Sequence, residues 1–215
     1  MIRRSISNQL IELVNQVPVI TIIGPRQSGK TTLVKSTFPE YSYVNLEDPV
    51  SRMLATEDYR GFLHTYKEPV IIDEVQRVPE LLSAIQVMVD EDRGKNGRFI
   101  LTESHQPRLQ KGIAQSLAGR TSILTLLPLS MNELSEEGLL EKLSTDKLLL
   151  RGFMPELYRE GSREPIVYYR DYLNTYVEKD LREMLEIKSL DKFLRFLTLL
   201  AGRVGQVVNL SAMSG

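Results

Sequence analysis

The segment Gly24-Pro25-Arg26-Gln27-Ser28-Gly29-Lys30-Thr31, followed by Thr32, constrains this chain more than any other. It fits the spacing G-x-x-x-x-G-K-[ST]. Before it, residues 17–23 form a mostly apolar, β-branched run interrupted only by Pro18, which reads as a buried strand. After it, a helix is expected from about residue 30 to 37. Between a strand and a helix, two glycines let successive backbone N–H groups curl around a phosphate, and the helix N-terminus adds positive potential. Lys30 is then expected to reach the β- and γ-phosphates of a nucleotide, and the Thr31 hydroxyl to ligate Mg²⁺.

The rest of the chain supplies the layers such a loop needs. Strands are expected at 41–45, 69–73, 98–102 and 121–127, and helices at 49–66, 79–92 and 105–118, with Asp48 as N-cap and Pro49 at the first helical position. Strands alternating with helices imply a parallel sheet covered on both faces. The fold class is therefore α/β: a P-loop NTPase three-layer sandwich with a parallel five-stranded sheet over residues 17–128. An N-terminal amphipathic helix (1–16) precedes it, because Ile2, Ile6, Leu10, Leu13, Val14 and Val17 recur at helical spacing. After Pro128 the pattern turns helical. Ser130 and Glu133 form a capping box that opens a helical lid (129–160). The C-terminal segment (161–215) is expected to hold helices over 164–187 and 189–201, a short strand at 207–210 and a helix cap at Ser211.

Val70-Ile71-Ile72-Asp73-Glu74 is an apolar strand ending in two acids, the Walker B arrangement when it follows the first motif. Asp73 is expected to hold Mg²⁺ through water, and Glu74 to polarise an attacking water, which favours hydrolysis over phosphotransfer. No Asn-Lys-x-Asp motif for guanine is present, so the nucleotide expected is ATP. The fourth strand ends in Thr102-Glu103-Ser104. Period two puts Thr102 and Ser104 on one face, where either hydroxyl can sense the γ-phosphate, or the segment is an ordinary strand-end turn. Leu117-Ala118-Gly119-Arg120 ends a helix with Gly119 as C-cap. Arg120 there can reach a neighbouring subunit's γ-phosphate, making a homo-oligomer a candidate assembly, or it complements the helix terminus.

Charge and composition narrow the partners. With 27 Lys+Arg against 28 Asp+Glu there is no global pull toward nucleic acid or anionic lipid. Residues 151–215 hold ten Lys+Arg and nine Asp+Glu, so the Tyr168, Tyr172, Tyr176 series reads as a packing stripe and not as a base-stacking platform; nucleic acid is left to a longer form. Zero Cys and two His, His64 and His105, argue against thiolate and zinc chemistry. No apolar run approaches the length of a membrane span, and Asn8, Gln9 and Glu12 interrupt the signal-like start at Arg3 and Arg4, so the expected location is cytoplasmic. Glu47 is kept as a further candidate that can lean toward the nucleotide from the second strand.

Residues 24–32, Tyr43-Val44-Asn45-Leu46-Glu47-Asp48-Pro49, Ile72-Asp73-Glu74-Val75-Gln76-Arg77-Val78-Pro79 and Ser116-Leu117-Ala118-Gly119-Arg120 occur in that order. Together with Gly152-Phe153-Met154-Pro155 and the run from Tyr172 to Leu181, they resemble the AAA+-superfamily ATPases of bacteria and archaea that carry a C-terminal domain of unknown function. The resemblance implies an ATPase core, a small helical lid, and a C-terminal region that often starts like a winged helix and ends in a nuclease-like fold. It implies nucleotide binding by residues 24–32, Mg²⁺ and water held by Asp73 and Glu74, and an arginine finger at Arg120. Two departures stand out. Family members usually have Gly where this chain has Glu103; if that Gly supplies a positive φ, Glu103 is expected to strain the sensor loop and slow turnover. The C-terminal domain is also almost wholly absent, so the chain is expected to be a truncated form whose apolar helices over 164–201 favour self-association. The activity expected is Mg²⁺-dependent binding and slow hydrolysis of ATP to ADP, coupled to a C-terminal effector. The alternatives are a nucleotide-dependent switch or assembly module with little hydrolysis, and a P-loop kinase of a small acceptor.

Overall fold

The structure, a computed structural model, describes residues 2–104, 116–141, 143–177 and 190–207. It divides into two compact units, Met1–Pro165 and Ile166–Gly215. In the first unit, α1 (Ile6–Leu13) precedes β1 (Val19–Gly24), α2 (Lys30–Thr37), β2 (Ser42–Asn45), α3 (Pro49–Glu57), α4 (Tyr59–Thr65), β3 (Val70–Asp73), α5 (Leu81–Glu91), β4 (Phe99–Ser104) and β5 (Thr121–Thr125). Two helices follow within the segment expected to be a lid, α6 (Met131–Glu136) and α7 (Thr145–Arg151).

The five strands form one parallel sheet in the order β2-β3-β4-β1-β5. Side chains alternate between its faces, and each face has its own core. Ile20, Ile22, Ile71 and Ile100 pack with α1 and α2 through Leu10, Leu33, Val34 and Phe38. Val19, Val70, Ile72, Phe99 and Leu101 pack on the other face with α3, α4 and α5 through Ala55, Phe62, Leu81, Leu82 and Ile85. This is the expected three-layer sandwich, and it explains why strands buried on both faces carry unbroken apolar runs. The connection leaving β1 passes over β4 and β3 to reach β2, whereas those leaving β2 and β3 step back toward β1 and carry α3, α4 and α5 on the other face. Crossovers running in opposite directions lie on opposite faces, which opens a crevice at the carboxyl ends of β1 and β4.

Most element bounds lie within two residues of expectation; the differences have local causes. The helical segments expected over 49–66 are two helices. Asp48 caps the first, accepting from Ser51 N at 2.8 Å, and Asp58 interrupts the run to cap the second, accepting from Gly61 N at 2.9 Å. β4 extends to Ser104, two residues past its expected end, because Ile23 and Gly24 of β1 continue to pair with Glu103 and Ser104. Of the helix expected over 105–118, residues 105–115, including His105, lie outside the described residues. The capping box is present, Glu133 N donating to Ser130 Oγ at 3.1 Å and Ser130 N to Glu133 Oε2 at 2.8 Å. In the second unit, α8 (Pro165–Tyr172) passes into a π-helical turn (Leu173–Val177), and α9 (Leu190–Ala201) stands beyond. Tyr168 is buried and stacks on Tyr172 with ring centroids 6.0 Å apart, as a packing stripe would; the Tyr176 side chain, residues 178–189, the strand expected at 207–210 and Ser211 lie outside the described residues, save Val207.

Candidate functional site

The first glycine of the phosphate loop is required by close packing. A Cβ on Gly24 would stand 2.2 Å from the carbonyl oxygen of Leu126, so no larger residue fits at the end of β1. Gly29, at φ +95°, is the αL cap of α2, a conformation that costs Gly nothing. Gln27 also sits at positive φ, 62°. Lys30 opens α2 and is nearly fully buried, its ammonium donating to the carbonyls of Gly24 and Pro25 at 3.0 Å each. Burial pushes the Lys30 pKa below its ordinary value, opposed by the charges of Glu74 and Asp73. Lys30 thus rests on two carbonyls of its own loop, largely withdrawn from solvent.

Asp73, at the end of β3, is 1% exposed and receives three hydroxyl groups. Its Oδ2 accepts from Thr31 Oγ1 at 2.7 Å and from Tyr43 OH at 2.9 Å, and its Oδ1 accepts from Thr102 Oγ1. Thr31 and Asp73 are 42 residues apart in the chain; strand order alone brings them together. Tyr43 belongs to a motif in which its residue type points to no role. Its phenol is pushed upward by burial and then by Asp73, so it stays a donor. Glu74 adopts αL geometry, φ 58° and ψ 47°, and with Gln27 is one of the two non-glycine positive-φ residues among those described. Such conformations cost about 1–3 kcal/mol and persist where surrounding contacts enforce them. Here Glu74 N donates to Thr102 Oγ1 at 3.2 Å, while Ser104 Oγ reaches both Glu74 carboxylate oxygens at 2.9 and 3.0 Å and Gln76 donates to Oε2. The two candidate sensor hydroxyls thus divide the acids between them: Thr102 takes Asp73 and Ser104 takes Glu74.

Glu103 lies on the other face of β4, fully buried, with extended backbone; it is not among the positive-φ residues. The expected strain at Glu103 is therefore absent, because the strand continues through it. Glu47 does face the loop, at one remove: its Oε1 lies 3.7 Å from the guanidinium of Arg26 and 3.2 Å from that of Arg77. Arg120 does not join the site of its own chain. It precedes β5, at the amino edge of a parallel sheet whose carboxyl edge bears the loop; at about 3.3 Å per residue a six-residue strand separates them by roughly 17 Å. There it forms a two-point ion pair with Asp90, both bonds 2.8 Å long. His64 lines an unrelated groove between α4 and α5.

Arg4, which the sequence offers only as part of a signal-like start, is the residue the sequence reading missed. It is almost fully buried and donates to Ser28 O at 2.7 Å, Leu127 O at 2.6 Å and Glu133 Oε1 at 3.2 Å. Glu133 also accepts from Ser5 N at 2.8 Å. Burial works against its charged form, but the Ser130 and Ser5 amides and Arg4 outweigh it and hold the carboxyl below the ordinary value of 4.5. A depressed carboxylate contributes stability that is complete above its unfolded pKa and is lost as pH falls through its folded one. The stability advantage of wild type over Glu133→Gln in urea titrations is accordingly expected to be full at pH 6 to 7 and to shrink below about pH 4.5. A constant difference down to pH 3 would contradict it. Beside Arg4, a cavity of about 1190 Å³ opens between α1, α2 and the lid, lined by Asn8, Ile11, Gly29, Thr32, Leu129 and Tyr158 among others.

A family model described as an AAA domain matches residues 16–135. The chain belongs to the AAA-domain family. A domain of unknown function, DUF8612, matches residues 142–215, so the AAA domain here is followed by a second family module. The chain is similar to the uncharacterized proteins Mb2031c of Mycobacterium bovis and Rv2008c of Mycobacterium tuberculosis, at 32% identity over 192 residues, which is 85% of this chain. It spans 40% of the length of those relatives. Among solved structures, the Walker-type ATPase paby2304 of Pyrococcus abyssi has the same fold, with a TM-score of 0.51 and 16% identity over 94% of this chain and 76% of that one. The AAA domain therefore has the P-loop ATPase fold.

The donor set fits one kind of metal. Among the described residues no cluster of three or more His, Cys, Asp or Glu could hold an ion by itself. Mg²⁺ bound with a nucleotide needs no such cluster: it keeps several waters, takes phosphate oxygens and uses one or two protein ligands. The Thr31 hydroxyl and the Asp73 carboxylate, already 2.7 Å apart, match that requirement. No helix among the described residues is long and apolar enough to cross a membrane.

Proposed function

We propose that this chain binds ATP with Mg²⁺, hydrolyses it to ADP, and couples nucleotide state to its C-terminal region. The contact of Thr31 with Asp73 beneath the loop carries the reading, because it joins the two motifs at the place a nucleotide-bound Mg²⁺ would occupy. When bound, the ion would neutralise charge on the β- and γ-phosphates. Residues 24–32 bind the phosphates, with Lys30 turning from the loop's own carbonyls to phosphate oxygens. The cavity beside Gly29 and Thr32 has room for the base and ribose. Glu74 orients water and takes its proton, and Ser104 and Thr102 report the γ-phosphate to the two acids. Arg120 is assigned to a neighbouring copy, since its place at the opposite sheet edge leaves it no route to its own loop; leaving Asp90 is then part of assembly.

The test is metal dependence. Asp73→Asn is expected to retain ATP affinity without metal while losing most of the gain that Mg²⁺ brings, and to slow Mg²⁺-dependent phosphate release by about 100-fold or more. Titration calorimetry with and without Mg²⁺, together with a phosphate-release assay, reads both. Hydrolysis by wild type that is independent of Mg²⁺, or unaffected by the substitution, would overturn the proposal.

A further inference from the structure

The geometry points to Arg4 as the positioning residue of the phosphate loop, aiming the Gly29 amide at the nucleotide phosphates and tying that aim to the lid. Arg4 Nη1 donates to Ser28 O at 2.7 Å. The peptide unit joining Ser28 to Gly29 is planar and trans, so its carbonyl and its N–H point in opposite directions. Fixing the carbonyl toward Arg4 therefore turns the Gly29 N–H to the opposite side, and that hydrogen is donated to no described residue. Gly29 at φ +95° has unusual freedom to flip this peptide, which makes an external restraint worth having. Arg4 is close enough to supply it, since a Cβ on Gly29 would lie 3.5 Å from the same guanidinium nitrogen.

The other arms of the guanidinium reach the lid. Nη2 donates to Leu127 O at 2.6 Å and Pro128 O at 3.3 Å, the residues at which the chain leaves the sheet, and Nε donates to Glu133 in the first turn of α6. One buried planar group thus bonds to the loop, the segment leaving β5 and the lid helix. A guanidinium holds its donors in a fixed fork, so movement of α6 is passed to the Ser28 carbonyl without slack. Lysine has the charge but cannot reproduce three divergent bonds.

This rests on the assignment of the loop to nucleotide phosphates, and the experiment separates the two. The full chain, its Arg4→Lys and Arg4→Gln variants, is titrated with inorganic tripolyphosphate, ADP and adenosine, and the Gly29 amide resonance is followed by NMR. Folded Arg4 variants are expected to lose about tenfold or more in affinity for tripolyphosphate and ADP, the effect of one misaimed charge-assisted hydrogen bond, and to keep adenosine affinity within about twofold. The Gly29 amide is expected to shift on tripolyphosphate binding in wild type and not in Arg4→Gln. A purely structural role would change the three affinities together and leave the Gly29 response in place. If Arg4→Gln does not unfold cooperatively, Arg4→Lys carries the comparison. Phosphate affinity within twofold of wild type in a folded variant overturns the role of Arg4; a wild type that binds neither tripolyphosphate nor ADP overturns the nucleotide assignment itself.

Discussion

Lys30→Ala is expected to weaken ATP and ADP binding by about 100- to 10,000-fold, from the loss of two charge-assisted hydrogen bonds to phosphate at about 1.5–3 kcal/mol each. The same substitution is expected to leave the ligand-free protein as stable as wild type or more so. The reason is that the ammonium is buried with only two backbone carbonyls as partners, and its lowered pKa shows that folding disfavours its charge. The sign follows: between the lowered folded pKa and the ordinary 10.5, the unfolded chain binds the proton that the folded one sheds, so wild-type stability from this group rises with pH across that window. Lys30→Ala should abolish this rise. Differential scanning calorimetry with and without ADP reads both effects, since a ligand at 100 times its Kd adds about 2.7 kcal/mol that the variant should lack. Wild-type affinity in Lys30→Ala would remove the central assumption about the loop.

Glu74→Gln is expected to bind ATP within about threefold of wild type and to turn it over about 100- to 10,000-fold more slowly, the usual contribution of a general base. The amide is isosteric and its single oxygen can still accept from Ser104 and Gln76, so the αL turn at this position should survive. What it cannot do is take a proton. Ser104 and Gln76 both donate to the Glu74 carboxylate, so acting on water requires it to trade one of these hydrogen bonds. Quench-flow under single-turnover conditions isolates the chemical step. Unchanged turnover would transfer the role of base to another group.

Much of the architecture was legible in the sequence because its causes are local. Apolar β-branched runs such as Val19–Gly24 and Val70–Asp73, closed by Gly and Asp, mark strands buried on both faces; Asp48-Pro49 and Ser130 with Glu133 mark helix starts by their capping chemistry. The omissions were also local. Over 49–66 the sequence marks helical segments but not the break that Asp58 makes by capping the second of them, and it does not mark β4 past Thr102, because a strand's length is set by what it pairs with. The condition under which Glu103 would strain the loop, a positive φ, is not met, because pairing with Ile23 keeps it extended.

The sequence by itself determined the loop, the two Walker acids and the identity of the hydroxyls near them, since G-x-x-x-x-G-K-T and an apolar strand ending in Asp-Glu specify chemistry through residue type and spacing. Only the tertiary structure decided how those groups are held. Tyr43, Thr31 and Thr102 meet on Asp73 because β2, β3 and β4 lie side by side and β1 lies next to β4, an order no spacing reveals. Arg4 is the clearest case. It is 24 residues from Ser28 and 129 from Glu133, so its significance depends on the chain's N-terminus, loop and lid converging in space. A hydrogen bond acts over about 3 Å regardless of sequence separation, and a motif scan cannot see it.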